Sequence, residues 1–231
     1  MTVRSDLHVT AYRSTRSSVS TYTFAHAITT GYAPDRGLFV PTTDLPLFTE
    51  TMLKEMKGMA FDELAFAILR RFIPRAEMSN ADLLLIIAKS YKAFMSPSRV
   101  NVVKPSTSPI CIAELFHGPT FCFKDLGLSM LCNLISHFTP ANGPSKRTLC
   151  VSTTGDTGPA AVAAVVSAGN PNLNIMAFYP RGQISEFQKK QMLQVSWQLM
   201  ESKLQDACTI YMLYYLSSGH ETHSSRNDTL S

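Results

Sequence analysis

Between Thr148 and Tyr179 the chain switches between two periodicities in a fixed order. Thr148 to Val151 is a short apolar run, and Gly155-Asp156-Thr157-Gly158 is a glycine-rich turn. Pro159 to Ala168 has helical composition with Gly169 as its stop, and Leu173 to Tyr179 is apolar again. Two strands separated by a helix cannot close as a hairpin, so the helix carries the chain back and the strands run parallel. The order predicts a βαβ unit within an α/β fold, with the turn at the carboxyl end of its first strand.

Upstream, Phe61, Leu64, Ala65, Ile68, Leu69 and Phe72 recur at helical spacing, and Pro74 closes the segment. A second amphipathic helix is expected from Asn80 as N-cap, with Leu83, Leu84, Ile87, Tyr91 and Phe94 on one face and Pro97 at its end. Ser96 to Pro109 lacks helical periodicity and marks a boundary. Ile110 to Phe116 reads as a strand, His117-Gly118-Pro119-Thr120 as a turn and Leu126 to Phe138 as a helix. A further helix starts at Ser185, which has capping-box spacing to Gln188. Beyond Val195 we expect no strand or turn that closes the α/β layer, and the polar end reads as disordered. The expected organisation is an N-terminal helical domain over 1–98, a partial α/β domain over 108–195 and a tail over 196–231.

Composition narrows the function classes. The chain has 231 residues, of which 45% are hydrophobic, enough for a sizeable core. Charged residues are 16%, against about 25% in ordinary soluble domains, which points to surface buried against something or to missing chain. The net charge of +4 comes from scattered Lys and Arg, so nothing favours a nucleic-acid partner. The start, MTVRSDLHVT, has no secretory apolar core. The longest apolar stretch, around Tyr211 to Leu216, is far short of the ~20 residues that cross a membrane. A soluble, cytoplasmic protein is expected. Five cysteines without a C-x-x-C pair read as reduced, buried thiols, and no His/Cys spacing suggests a metal.

Two places carry candidate chemistry. Lys124 lies in TFCFKDLGL and, apart from histidine, is the one basic residue between Lys104 and Lys146. Burial between Phe121 and Phe123 would disfavour its charged form and make it a nucleophile; the alternative is a lysine that snorkels to solvent beside Asp125. The second place is Ser152-Thr153-Thr154-Gly155-Asp156-Thr157-Gly158, between strand and helix. Free N–H groups and hydroxyls at such a helix start can hold a carboxylate or phosphate; an ordinary capped turn is the alternative. It matches neither G-x-G-x-x-G nor G-x-x-x-x-G-K-[ST], so NAD or ATP binding is not supported. His117 reads as structural, and Glu114 with Asp125 is a conceivable acid pair about the lysine.

Taken in order, Tyr12-Arg13-Ser14-Thr15-Arg16, Gly37-Leu38-Phe39-Val40-Pro41, Glu114 to Thr120, Phe123-Lys124-Asp125, Thr153 to Gly158, and Tyr179 to Ser185 with Gln188 and Gln191 resemble the threonine synthase family. That resemblance implies a tryptophan-synthase-β-like (fold type II) enzyme using pyridoxal 5'-phosphate (PLP) and converting O-phosphohomoserine and water to threonine and phosphate; the alternatives are a non-catalytic fragment that binds a partner and a phospho-lyase on a related hydroxy-amino-acid phosphate. It implies that Lys124 is catalytic and carries the cofactor as a Schiff base, that Asp156 lies near the cofactor's 3′-oxygen, and that Thr153, Thr154 and Thr157 hold the substrate carboxylate. The sequence departs from the family at Thr154 (usually Ser), Pro159 (usually Ser or Ala) and Arg36 (usually Gly). The family's later Ser-Gly-Asn-Phe-Gly segment, which cradles the cofactor phosphate, has no counterpart, and 196–231 reads as an unrelated tail. From this we expect exposed apolar surface, marginal stability, self-association and weak or no cofactor binding.

Overall fold

The computed structural model describes residues 8–45, 48–107, 109–180 and 182–201, with the backbone of 210–215. In chain order it contains β1 (Tyr12–Ser14), α1 (Phe24–Thr30), β2 (Phe39–Pro41), α2 (Glu50–Met56), α3 (Phe61–Phe72), α4 (Asn80–Tyr91), β3 (Asn101–Val103), β4 (Ile112–Glu114), α5 (Lys124–His137), β5 (Arg147–Ser152), α6 (Thr157–Ala168), β6 (Leu173–Pro180), α7 (Glu186–Glu201) and β7 (Ile210–Tyr215).

The helical layer forms much as its spacing predicts. Thr23 caps α1 by accepting from the His26 N–H, while Glu77 accepts from the N–H groups of Phe24 and Ala25 at 2.9 and 2.8 Å. The start of α4 differs from expectation by one residue. Ser79, not Asn80, is the N-cap and accepts from the Asp82 N–H at 3.0 Å. The Asn80 side chain instead accepts from the buried Arg70 guanidinium at 3.1 Å, a group whose desolvation would be costly without partners.

The expected βαβ unit is present. β5 and β6 pair in parallel from Arg147 opposite Leu173 to Ser152 opposite Phe178, with α6 as the connection. Gly169, the expected helix stop, ends α6 in the left-handed conformation at φ 59°, where glycine escapes the Cβ clash. Two readings are corrected. β4 is shorter than the expected 110–116 strand and pairs antiparallel with β3, because the short link between them allows a hairpin and not a parallel crossover. Beyond Val195 the chain does add a strand: β7 pairs parallel to β6, from Ile175 opposite Ile210 to Pro180 opposite Tyr215, giving the order β5-β6-β7. The rest of the expected disordered tail, 202–209 and 216–231, lies outside the described residues.

Two apolar clusters result, and α5 serves both. Met130 and Leu134 face Tyr12, Phe24, Leu83, Ile87 and Tyr91. Cys132 and Ile135, on another side of the same helix, join Val162, Val165, Ile175 and Met192. A further tie is Lys89 Nζ, which donates to Ala168 O at 2.7 Å and places a cation at the carboxyl end of α6. Along β5 the alternate residues Thr148, Cys150 and Ser152 are exposed, so one side of this edge strand is uncovered. Among the described residues no helix is long and apolar enough to cross a membrane.

Candidate active site

The turn after β5 is folded by its own threonine. Thr153 is buried, and its N–H donates to Phe178 O at 2.9 Å, carrying the β5–β6 ladder one residue further. Its hydroxyl donates to Gly155 O at 2.9 Å and accepts from the Gly155 N–H at 3.0 Å. Thr153 therefore shapes the turn, whereas Thr154 is exposed and Thr157, the first residue of α6, is partly buried. Asp156 occupies the N-cap position but makes no side-chain bond to the helix. Gln188 Nε2 donates to Asp156 Oδ1 at 2.7 Å instead. This leaves the first N–H groups of α6 uncapped by a side chain, the condition for holding an anion. Gly158 is required for close packing: a Cβ there would stand 2.8 Å from Thr153 Cγ2 and 2.9 Å from Met192 Sδ.

Lys124 opens α5 at the end of a tightly constrained turn. Asp125 points inward and accepts from the Thr120 N–H and hydroxyl. Gly118 is needed beside it, because a Cβ would collide with the Asp125 side chain. Phe121 has φ 60°, unusual for a bulky residue, and such strain collects at functional turns. The Lys124 N–H donates to Cys122 Sγ at 3.4 Å. Its ammonium lies 4.5 Å from the Phe123 ring centroid, a cation–π contact. Of the two readings of Lys124, burial between the rings is not found: Phe121 and Phe123 are each 58% exposed and Lys124 is half-buried, since no described residue covers the rings.

The conceivable acid pair is not formed either. Asp125 is committed to Thr120, and Glu114 Oε2 contacts His117 Nε2 at 2.9 Å. That histidine contact, and the amide of Asn101, hold the Glu114 carboxyl below its ordinary range. His117 thus ties β4 and β3 to the turn before Lys124.

No hydrogen bond joins Lys124 to the 153–157 turn among the described residues. The shared neighbour is α7: besides the Gln188 contact to Asp156, Gln191 Nε2 donates to Thr120 O at 3.3 Å. Sequence reasoning saw Gln188 as a helix cap and missed both outward contacts, although the three-residue spacing of Gln188 and Gln191 places them on one helix face. A concavity of about 460 Å³ lies at another place, lined by Arg13 to Ser18 and Val40, and includes none of the candidate residues. Among the described residues no three His, Cys, Asp or Glu side chains come together as metal ligands. The expectation of five buried thiols is corrected, since Cys111, just before β4, and Cys150, on the uncovered side of β5, are exposed. Cys208 lies outside the described residues.

Fold and site together define an α/β protein with an anion-competent turn after a parallel strand and a constrained lysine at a neighbouring helix start. Residues 11–91 match the family described as threonine synthase N terminus. Threonine synthase of Saccharomyces cerevisiae is 40% identical over 195 residues, covering 80% of this chain and 38% of the yeast protein. The crystal structure of threonine synthase from yeast superposes with a TM-score of 0.73 at 37% identity, over 80% of this chain and 38% of that one. A PLP-bound threonine synthase from Brucella melitensis superposes with a TM-score of 0.70 at 26% identity, over 89% of this chain and 48% of that one. Over its N-terminal 80% the chain is homologous to threonine synthases. The chain spans 38% of the length of its yeast relative.

Proposed function

We propose that this chain carries the lysine side of a PLP-dependent carbon–oxygen lyase site of the threonine synthase type, with the tryptophan-synthase-β-like fold, acting on O-phosphohomoserine and water to give threonine and phosphate in the cytoplasm. The observation that carries the reading is the constrained turn from Gly118 to Phe123, which presents Lys124 at a helix start and is joined through α7 to the 153–157 turn.

The donor set fits the aldehyde end of the cofactor. Lys124 Nζ has no ion-pair partner among the described residues, and it lies over the Phe123 ring. When bound, PLP supplies an electron sink for negative charge at the substrate's α-carbon. Lys124 would hold the cofactor covalently and, once released by the incoming amine, move protons at the substrate's α- and β-carbons. Thr154 and Thr157, with the uncapped start of α6, would orient the substrate carboxylate, and Thr153 would keep that turn in shape. Asp156 would stand near the cofactor's 3′-oxygen, oriented by Gln188.

A second reading, a non-catalytic chain that binds a partner, is favoured by one feature: Ile110, Ile112, Phe116, Phe121 and Phe123 are all exposed around β4 and the start of α5. The two readings separate in one experiment. The full chain is incubated with PLP and O-phosphohomoserine while phosphate release and sedimentation are followed. The lyase reading expects PLP-dependent release that Lys124→Ala abolishes, and a raised KM with little change in kcat for Thr157→Ala. Release that survives in Lys124→Ala removes the lysine assignment; no release, with concentration-dependent association, selects the second reading.

A further inference from the structure

We infer that α7 is a clasp that fixes the spacing between the two candidate halves, with Gln188 and Gln191 as its positioning residues; this rests on reading Lys124 and Asp156 as parts of one site. Both side-chain amides donate outward from the same face of α7, Gln188 to Asp156 Oδ1 and Gln191 to Thr120 O in the turn that leads into Lys124.

The residue type at 188 argues for a role beyond capping. Gln188 Oε1 accepts from the Ser185 N–H at 3.1 Å and the Ser185 hydroxyl at 3.0 Å, while the Gln188 N–H donates to Ser185 Oγ at 3.1 Å. This is a capping box, in which glutamate serves as well as glutamine because only an acceptor is needed. Glutamine alone has an N–H₂ group left over, and that group meets Asp156. With both ends of the amide engaged, its orientation is fixed. Asp156 in turn makes no bond to its own helix, so Gln188 is what orients it.

The helix that carries the clasp is anchored beside it. Met192 is fully buried, and its sulfur packs where a Cβ on Gly158 would stand. Sliding α7 along the start of α6 would break this packing and both amide contacts together. The 118–123 and 153–157 turns, which share no hydrogen bond of their own among the described residues, are thereby held in one register.

Gln188→Glu separates positioning from capping: it keeps the acceptor for Ser185 and replaces the donor by a carboxylate facing Asp156. The test measures backbone hydrogen exchange and PLP titration on the full chain and on Gln188→Glu, Gln188→Met and Gln191→Met. The Thr153 and Gly155 N–H groups are hydrogen-bonded in the native turn and report its opening. In Gln188→Glu the start of α7 should stay protected as in the parent, while exchange at 153–158 quickens and PLP binding weakens, each by about tenfold, the size expected for one lost hydrogen bond. Gln191→Met should act in the same direction on 118–124. Unchanged exchange of the 153–158 turn in Gln188→Glu overturns the clasp, including where Gln188→Met fails to fold. If the parent chain takes up no PLP, the functional reading fails while exchange still decides the clasp.

Discussion

Asp125 is 1% exposed and accepts from Thr120 twice, from its N–H at 2.8 Å and from its hydroxyl at 2.7 Å. The pair closes the turn whose last residue passes directly into Lys124. Removing the acceptor strands a buried N–H, so Asp125→Ala should lower stability by about 2–4 kcal/mol, and Thr120→Val, which removes only the hydroxyl, by about 1 kcal/mol. Urea unfolding of the two single variants and the double variant checks this. The double variant should lose less than the sum of the singles, because both changes break the same contact.

How much of this was legible in the sequence depended on range. The βαβ unit could be read from Thr148 to Tyr179 because apolar period and glycine punctuation are local signals. The helix from Phe61 to Phe72 was legible for the same reason. The Asn80 cap was misplaced because a distant residue, Arg70, claims that side chain. β7 was missed because a strand that completes a sheet is recognised by its partner β6 and carries no turn signal of its own. At the site, motif order singled out Lys124 and the 153–157 turn as candidates, while the Gln188 and Gln191 contacts depend on how three elements pack. Burial and snorkelling of Lys124 were not separable in the sequence, because flanking rings say nothing about what covers them.

Thiol chemistry should divide the described cysteines into two pairs. Cys111 and Cys150 are exposed, whereas Cys122 and Cys132 are buried. Burial also pushes the Cys132 thiol up to about 12, leaving almost no thiolate at neutral pH. Iodoacetamide followed by peptide mapping should modify Cys111 and Cys150 in the native protein and reach Cys132 only after denaturation. Rapid native modification of Cys132 would contradict the packing of α5 against α6.

Acid should weaken the loop between α1 and β2. The Ser14 hydroxyl, at 2.6 Å, and the Gly37 N–H, at 3.0 Å, donate to Asp35 and hold its carboxyl below the ordinary value of 3.8. A depressed folded-state value stabilises the fold above the unfolded value, and that contribution is lost as pH falls through the folded one. The urea-midpoint gap between the parent and Asp35→Asn should therefore be widest near neutrality and close below about pH 4. A gap that widens on acidification would contradict the assignment.

Arg36 stands at φ 64°, in the left-handed region where glycine fits without Cβ strain. Arg36→Gly should stabilise the chain by about 0.5–1 kcal/mol, the relief of Cβ strain exceeding the added freedom of the unfolded chain. Thermal unfolding checks the sign. A lower midpoint would show that the arginine side chain contributes more than its backbone strain costs.

The central claim is that Lys124 is the residue that bonds PLP. Loading the full chain with PLP, reducing with borohydride and mapping the labelled peptide tests it most directly. One label per chain is expected, on Lys124, with its loss in Lys124→Ala. Label distributed over exposed lysines such as Lys104 and Lys146, or label on the Lys124→Ala chain equal to that on the parent, would contradict it.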